Sequence, residues 1–240
     1  MERDTEPLKR KSMHLFVEAA EQIDDPIKSL VALFLTFTGV RNDTLCHLHS
    51  SWFQKDDGDL KVKIPAEDAC TKHEGDKICG TCNQKGKDGF SPKTQAGTGR
   101  TLKIPESWHN HYAEESGQQE LDLRERIEHH FSIDGSVGND VIDGNGLGIR
   151  TTNRYVKEIA AEAEIGFYRP TGYTQNNLLG RVPDITCHDL RGTYCVQLAR
   201  KDANPWKMCK KTGHADVNSL EPYIKFAEQE FSGDFEEEFI

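Results

Sequence analysis

The sequence lacks the features of a membrane or secreted protein. No apolar run approaches the roughly 18 residues that a membrane-spanning helix requires, and hydrophobic residues make up only 35% of the chain. The N-terminal segment MERDTEPLKRKS has no apolar core of the kind found in secretory signal peptides. These absences predict a cytoplasmic protein that does not associate with membranes.

Other common signatures are missing too. The seven cysteines are odd in number and unevenly spaced, which argues against a disulfide framework. The chain has no internal repeat and no P-loop. Its glycine-rich segment at residues 143–148 (DGNGLG) does not follow an apolar strand, as a dinucleotide-binding fingerprint would. A length of 240 residues suffices for one sizeable domain with a small insert.

The sequence also lacks the excess of positive charge that usually marks a nucleic-acid-binding protein. The formal net charge is −10, but the acidic C-terminal tail at residues 228–240 holds six acidic residues and no basic one, which leaves −4 for the remainder. Local charge matters more than the total for binding DNA, and a basic run precedes this tail. The candidate DNA-binding residues in the run are Arg200, Lys201, Lys207, Lys210 and Lys211.

The segment between Thr186 and Phe226 carries the most chemistry. His188 and Arg191 are three residues apart at the start of a predicted helix, so their side chains leave the same face. Gly213-His214 follows at a predicted turn, and Tyr223 lies nine residues after His214. An arginine binds two phosphate oxygens, an imidazole moves protons and a phenol can be a nucleophile. Each residue alone is more often structural, and a single tyrosine on an amphipathic helix usually belongs to the core.

The order of these residues resembles the C-terminal half of the tyrosine recombinase (phage integrase) catalytic domain, in which H-x-L-R is followed by G-H and then by Y. The resemblance requires a first arginine after Thr-Gly and a lysine on a β-hairpin. Thr38-Gly39-Val40-Arg41 matches the family pattern T-G-x-R-x-x-E-L, except that Thr44 stands in place of the acidic residue. Lys93 lies at the place of the hairpin lysine, and Lys103 is the alternative.

The resemblance implies a mainly α-helical fold with a small antiparallel β-sheet, an α+β architecture. The predicted catalytic domain spans residues 27–227 and follows an N-terminal helix and linker at residues 1–26. A separate helical DNA-clamping domain usually precedes the catalytic domain in this family. We expect none here, because only about 25 residues come before Ile27.

The resemblance also implies a mechanism of DNA strand breakage. Arg41 and Arg191 would bind the two non-bridging oxygens of the scissile phosphate, and His214 would donate a further hydrogen bond. Tyr223 would attack the phosphorus and become a 3′-phosphotyrosine. The remaining catalytic residues implied are Lys93, which would protonate the leaving 5′ oxygen, and His188, which would assist proton movement at the tyrosine.

The implied function is site-specific recombination or integration of DNA without a catalytic cofactor or ATP. The implied partners are double-stranded DNA with attachment-type sites and further copies of the chain assembled on it. The alternatives are a DNA-binding or regulatory remnant of the fold and a type IB topoisomerase-like strand transferase. A nuclease that uses metal-bound water would need clustered acidic residues near the histidines, and this segment lacks them.

A cysteine- and histidine-rich insert at residues 66–91 interrupts the predicted domain. Cys70-x-x-His73 and Cys79-x-x-Cys82 are two chelating pairs separated by a short loop. Thiolate and imidazole ligands suit a tetrahedral structural zinc site. The alternative is a flexible insertion with reduced thiols. The insert resembles those of integrase-like proteins from salt-loving archaea and their viruses.

Apolar periodicity and turn residues predict the secondary structure. Pro26 predicts a helix start and Gly39 a helix stop, and a flexible loop is expected at residues 132–148. Helices are predicted at 8–23, 27–37, 42–53, 121–131 and 151–165 and from Thr186 onward, and strands at 60–64 and 101–104.

Overall fold

Helices form most of the secondary structure, and short antiparallel strands form the rest, which confirms the predicted fold class. The computed structural model describes residues 7–71, 79, 82, 89–104, 123–131, 147–165, 168–170, 181–201 and 203–237. The helices are α1 (Arg10–Gln22), α2 (Pro26–Thr38), α3 (Asn42–Cys46), α4 (Leu123–His130), α5 (Ile149–Glu162), α6 (Cys187–Arg200), α7 (Pro205–Thr212) and α8 (Glu221–Glu237). The strands are β1 (Phe53–Asp56), β2 (Asp59–Ile64), β3 (Asp68–Ala69), β4 (Gly89–Phe90), β5 (Arg100–Lys103), β6 (Tyr168–Pro170) and β7 (Arg181–Pro183).

Helix α2 is the central helix of the hydrophobic core. All its residues from Ser29 to Thr38 are buried, as expected for a helix that is apolar on nearly all sides. The Asp25 side chain accepts hydrogen bonds from backbone N–H groups of the first turn, where Pro26 also lies. Gly39 ends the helix in the left-handed conformation, with φ of +59°. The predicted start and stop are therefore confirmed, and Arg41 lies two residues after Gly39.

Helix α6 packs against α2 and joins the main core to the C-terminal helices. Its start has a capping box, in which the Asp189 carboxylate accepts hydrogen bonds from both the backbone N–H and the hydroxyl of Thr186. Further along, α6 packs against α7 and α8. The second buried cluster formed there consists of Cys195, Val196, Leu198, Met208, Cys209, Leu220, Tyr223 and Ala227.

The main sheet is antiparallel, with the strand order β1-β2-β5. The strands predicted at 60–64 and 101–104 are confirmed as β2 and β5. The prediction of a helix at 42–53 was wrong in its second half. Helix α3 ends at Cys46, and a 3₁₀ turn at Ser50–Trp52 leads into β1. Tertiary packing decides this change: the ring of Phe53 in β1 lies against those of Phe34 and Phe131, which no local pattern contains.

The other predicted helices are found with ends shifted by a few residues. Helices α1, α4 and α5 correspond to the segments predicted at 8–23, 121–131 and 151–165. Most of the loop predicted at 132–148 lies outside the described residues, and α8 continues to Glu237. Within the described ranges, no helix has both the length and the apolar character needed to cross a lipid bilayer.

We expect Gly39→Ala to lower the free energy of unfolding by more than the about 1–2 kcal/mol that a left-handed backbone costs a non-glycine residue. A Cβ atom at this position would lie 2.2 Å from Cδ1 of Tyr194, so the ring or the helix end must move. Gly58→Ala is the matched control, since Gly58 also has a positive φ, +81°, but no described atom lies within 4 Å of the added Cβ. Urea denaturation measures both losses, and equal losses would contradict the overlap.

Candidate active site and metal centre

Two helix ends bring the predicted arginines together. Arg191 projects from α6 and is only 1% exposed. Its Nη1 donates to the carbonyl of Gly39 at the end of α2, and its Nη2 donates to the carbonyl of Thr212 at the end of α7. Arg41 donates from Nη1 to the carbonyl of Gly213 at 3.1 Å. Because helix C-termini carry partial negative charge, these carbonyls hold the guanidinium groups without neutralising them.

A third arginine, which the sequence analysis did not single out, lies beside this pair. Arg100 is buried, and its Nη1 donates to the carbonyl of Lys211 at 2.8 Å. Burial, and then the charges of Arg191 and Arg41, lower the pKa of Arg100 to about 9. The sequence signal that could have identified Arg100 is the alternation of buried and exposed residues in β5, which places it on the same buried face as Leu102.

The three arginines form a cluster of desolvated positive charge. Burial, and then the charge of Arg41, lower the pKa of Arg191 to about 10, and burial also lowers that of Arg41. Within the described part of the chain, no carboxylate pairs with any of the three, and Nε of Arg100 and of Arg191 is buried without a hydrogen-bond partner. Buried cations that repel one another in this way favour the binding of an anion.

His214 lies beside the cluster in a defined tautomer. The hydroxyl of Thr212 donates to the carbonyl of Met208 at 2.8 Å, so Nδ1 of His214 is the donor in its 2.6 Å contact with that hydroxyl. Nε2 is then an acceptor and receives a hydrogen bond from Nη2 of Arg191 at 3.4 Å. Burial, followed by the charges of Arg191 and Arg41, lowers the pKa of His214 to about 3. This imidazole is therefore neutral at physiological pH.

His188 and Lys93 lie on the exposed side of the cluster. Although His188 is partly in solvent, desolvation by neighbouring protein atoms lowers its pKa, and Arg191 and Lys93 add to this effect. Lys103, the alternative to Lys93, instead forms an ion pair with Asp59 at 2.7 Å. Of the two lysines, Lys93 is therefore the one that lies near the predicted histidine.

Tyr223 lies in the first turn of α8 and is buried. Its ring centroid is 6.2 Å from that of His214, and its phenol group is close enough to Arg191 to raise the pKa of the guanidinium. Gly192 on α6 makes room for the ring, since a Cβ atom there would lie 2.9 Å from Cε1 of Tyr223. Tyr194 packs against the end of α2, and its phenol group is close enough to Arg100 to raise the pKa of that guanidinium.

The basic residues predicted to bind DNA lie at the end of α6 and on α7. Lys201, Lys207, Lys210 and Lys211 are exposed, and Arg200 is half-buried. Lys210 and Lys211 line a groove together with Arg100 and the loop that precedes β5. This groove connects the exposed basic face with the buried arginine cluster.

Comparisons with known proteins identify the fold. No family model matches the sequence, and no curated protein sequence matches it significantly. The solved structure of XerA recombinase aligns with a TM-score of 0.58 at 16% identity, covering 96% of this chain and 65% of that chain. The chain has the fold of a tyrosine recombinase catalytic domain.

Two DNA complexes share this recombinase fold. XerH site-specific recombinase bound to a palindromic difH substrate aligns with a TM-score of 0.55 at 18% identity, covering 97% of this chain and 53% of that chain. The Tn1549 transposon integrase in complex with transposon right end DNA aligns with a TM-score of 0.55 at 17% identity, covering 97% and 68%. The chain thus spans between half and about two thirds of the length of the recombinases it matches.

A cluster of four metal-binding side chains lies next to strands β3 and β4 of this recombinase fold. The ligand atoms of His47, Cys70, Cys79 and Cys82 all lie within 4.8 Å of one another. Nε2 of His47 is 3.6, 3.5 and 3.3 Å from the Sγ atoms of the three cysteines, in that order. Tetrahedral zinc with Zn–S of about 2.3 Å and Zn–N of about 2.0 Å separates nitrogen from sulfur by about 3.5 Å. The donor set and its spacing therefore fit a zinc ion.

Contacts around the four ligands support the same interpretation. Nδ1 of the fully buried His47 donates to the carbonyl of Asp43 at 2.8 Å, which leaves Nε2 as the ligand atom directed at the thiols. The backbone N–H groups of Cys79 and Cys82 donate to the Sγ atoms of Cys70 and Cys79, both at 3.5 Å. Burial and the two neighbouring thiols raise the pKa of Cys82, and a cation held by the cluster would offset this effect.

The described residues contribute a nitrogen ligand that the spacing of the insert did not predict. The cluster contains the three predicted cysteines, but His47 supplies its imidazole, and His73 lies outside the described residues. His47 comes 23 residues before Cys70, so spacing alone did not connect the two. Its one local signal is its place at the end of the short helix that Arg41 precedes.

The lowered pKa of His214 predicts a stability that decreases in acid. The unfolded chain binds a proton at this imidazole near the ordinary pKa of about 6.5, whereas the folded protein binds it only near a pKa of about 3. The unfolded state holds more protons between these values, so the free energy of unfolding decreases as the pH falls through this window. We expect His214→Gln to remove part of the decrease. The remainder comes from His188 and from carboxylates such as Glu128, whose pKa values are lowered too. Urea denaturation between about pH 7 and pH 4 is the measurement, and an unchanged pH dependence contradicts the assignment.

Proposed function

We propose that this chain is the catalytic part of a site-specific tyrosine recombinase, which cuts and rejoins double-stranded DNA through a 3′-phosphotyrosine. The observation that carries the proposal is the convergence of the buried, unneutralised arginine cluster with His214 and Tyr223. A scissile phosphate supplies the anion that such a cluster favours, and it would lie beside a tyrosine. The proposed activity places the protein with DNA in the cytoplasm.

The arginines stabilise the charge that develops during the reaction. In the proposed complex, Arg41 and Arg191 bind the non-bridging oxygens, on which negative charge increases in the transition state. Their bonds to helix-end carbonyls hold both groups in place before DNA arrives, so little reorganisation is needed. Arg100, which is buried beside Arg41 and Arg191, adds its positive charge to the cluster.

Strand cleavage exchanges one phosphoester bond for another. The Tyr223 oxygen attacks the phosphorus, the bond to the 5′ oxygen breaks, and the phenol proton passes to His188, which is neutral because its pKa is lowered. Lys93 donates a proton to the departing 5′ oxygen. Proximity to Arg191 favours the phenolate, whose ordinary pKa of about 10 makes it scarce at neutral pH. Rejoining reverses these steps, and the phosphotyrosine retains the ester energy, so no ATP is required.

His214 changes its role when a phosphate binds. Its Nε2 accepts a hydrogen bond from Arg191, so it must gain a proton before it can donate to a phosphate oxygen. A phosphate anion among the arginines offsets the charges that lower the pKa of His214. DNA binding would therefore be coupled to proton uptake at this imidazole.

The proposed DNA contact surface is the basic face of α6 and α7. Its exposed lysines would bind phosphates along the duplex and make the affinity fall as salt rises. Lambda integrase, which has this fold, has been solved as a tetramer bound to a Holliday junction. We propose that this chain likewise assembles as several copies on paired DNA sites.

We also propose that His47, Cys70, Cys79 and Cys82 bind one structural zinc ion. Four protein ligands fill a tetrahedral shell, as in structural sites, and leave no open position for water. The ion would have no part in the reaction at the phosphate.

Tyr223→Phe should abolish the covalent protein–DNA adduct on a nicked suicide substrate and leave DNA affinity nearly unchanged, because the lost oxygen acts only in the chemical step. Tyr155→Phe is the matched control, because it loses the same atom on α5, where the ring lies against Lys28 and Arg154, and it should retain the adduct. Denaturing gel electrophoresis of labelled substrate measures the covalent adduct that each variant forms.

The suicide-substrate assay also separates the alternatives. Absence of an adduct with the unaltered protein on every attachment-type substrate contradicts the proposed enzyme and favours a DNA-binding remnant. An adduct that forms irrespective of sequence, together with relaxation of supercoiled DNA, favours a topoisomerase-like activity instead.

His47→Ala should reduce bound zinc from about one ion per chain to near none, whereas His73→Ala should retain it. The reason is that Nε2 of His47 completes the shell with the three thiols. Elemental analysis of protein purified without chelator gives the metal content. Retention of zinc in His47→Ala with loss in His73→Ala would restore the ligand set first predicted.

A further inference from the structure

The metal centre and the candidate active site are joined by two short stretches of chain. One runs from Arg41 through α3 to His47, and the other runs from β4 to the loop that carries Lys93. The first stretch has the proposed metal ligand His47 at one end and Arg41 at the other. The second has Phe90, which packs against the His47 ring, at one end and Lys93 at the other. The two stretches can therefore transmit a displacement from one site to the other.

The first stretch is a single short helix. Arg41 is the residue that precedes α3, and His47 is the residue that follows it. Within the helix, the backbone N–H of Leu45 donates to the carbonyl of Arg41, and Nδ1 of His47 bonds the carbonyl of Asp43. A helix this short is not stable by itself, so a ligand that holds His47 also holds the end of the helix at Arg41.

The second stretch begins at the base of the insert. Strands β3 and β4 pair through Asp68 with Phe90 and directly flank the cysteine-bearing segment. The Phe90 ring is fully buried between His47 and Trp52, with both ring centroids at 5.0 Å. The Trp52 Nε1 also donates to the Asp68 carboxylate, so the base of the insert is fixed against the turn before β1.

The same stretch then reaches the arginine cluster. Three residues after Phe90 comes Lys93, and the hydroxyl of the next residue, Thr94, accepts a hydrogen bond from Nη1 of Arg41 at 3.3 Å. That hydroxyl donates in turn to the carbonyl of Gly213 at 3.2 Å, to which Arg41 also donates. Through these hydrogen bonds, Thr94 joins the loop that carries Lys93 to Arg41 and to the end of α7.

We infer that the metal centre is a brace that positions Arg41 and the Lys93 loop for reaction with DNA. The bound ion holds His47 and the three cysteines together, and through them it holds both stretches that end at the arginine cluster. His47, Cys70, Cys79 and Cys82 are thus positioning residues that act through Arg41 and Lys93. The inference rests on the proposed recombinase activity for its effect on rate, but the effect on loop structure is independent of that activity.

The test compares Cys79→Ser with Thr71→Ala. The first variant removes a metal ligand, whereas the second removes a hydroxyl next to Cys70 that lies outside the four ligands and has no hydrogen-bond partner among the described residues. We expect Cys79→Ser to form the covalent adduct on the order of 10²-fold more slowly, since a misplacement of about 1 Å costs that much. The affinity for DNA should change much less, because the basic face of α6 and α7 is untouched. Thr71→Ala should retain zinc and a rate near that of the unaltered protein.

Hydrogen exchange provides a readout that does not depend on activity. In the metal-free protein, peptides that cover residues 91–98 should exchange faster, whereas peptides from α2 should be unchanged. Reloading chelator-treated protein with zinc should restore both slow exchange and the adduct rate, and reloading Cys79→Ser should restore neither.

The outcomes separate the brace from the proposals on which it builds. Absence of zinc in the unaltered protein overturns the metal centre and with it the brace. Loss of zinc with unchanged exchange at residues 91–98 and an unchanged adduct rate overturns the brace alone. A protein that never forms an adduct refutes the recombinase proposal, but faster exchange of this loop on zinc removal still supports the brace.

Discussion

The structure of the site depends on arginines that hold the C-terminal ends of helices. Arg191 bridges the ends of α2 and α7, and Arg41 reaches the residue that follows α7. Partial negative charge at a helix end stabilises a guanidinium group but does not cancel its charge. The cluster therefore remains folded and strongly positive, which is the state that a phosphate-binding site requires.

Two glycines make this arrangement geometrically possible. Gly39 and Gly213 both adopt the left-handed conformation that ends a helix, with φ of +59° and +71°. Each turns the chain so that a functional residue, Arg41 or His214, follows within two positions. A Cβ atom at either glycine would also meet a neighbour at 3.0 Å or less, Tyr194 at the first and Arg100 at the second. The helix ends and the arginine cluster are therefore mutually dependent.

The proposed metal centre would join short elements that also contribute Leu45 and Phe90 to the hydrophobic core. Helix α3 and the paired strands β3 and β4 are too short to be stable alone. Coordination of His47 by the thiols of the insert would bind these pieces together and hold the lysine loop against Arg41. Both the arginine cluster and the metal centre thus join segments that are far apart in the sequence.

Local sequence determined the elements of this protein whose causes are local. Pro26 and Gly39 bound α2, Thr186 and Asp189 begin α6, and the apolar pattern predicted most of the helices. The fold class followed from the family resemblance. The ordered motifs around Arg41, Arg191, His214 and Tyr223 also sufficed to suggest the family, because their spacing reflects a shared fold.

Tertiary structure decided everything that required contacts between distant segments. The second half of the helix predicted at 42–53 is instead a 3₁₀ turn that leads into β1, since Phe53 packs against rings from other elements. Tertiary structure also added Arg100 to the cluster and brought His47 into the metal centre, across 23 residues of sequence from Cys70. Spacing rules consider residues that are close along the chain, whereas ligation and charge clustering depend on distance in space.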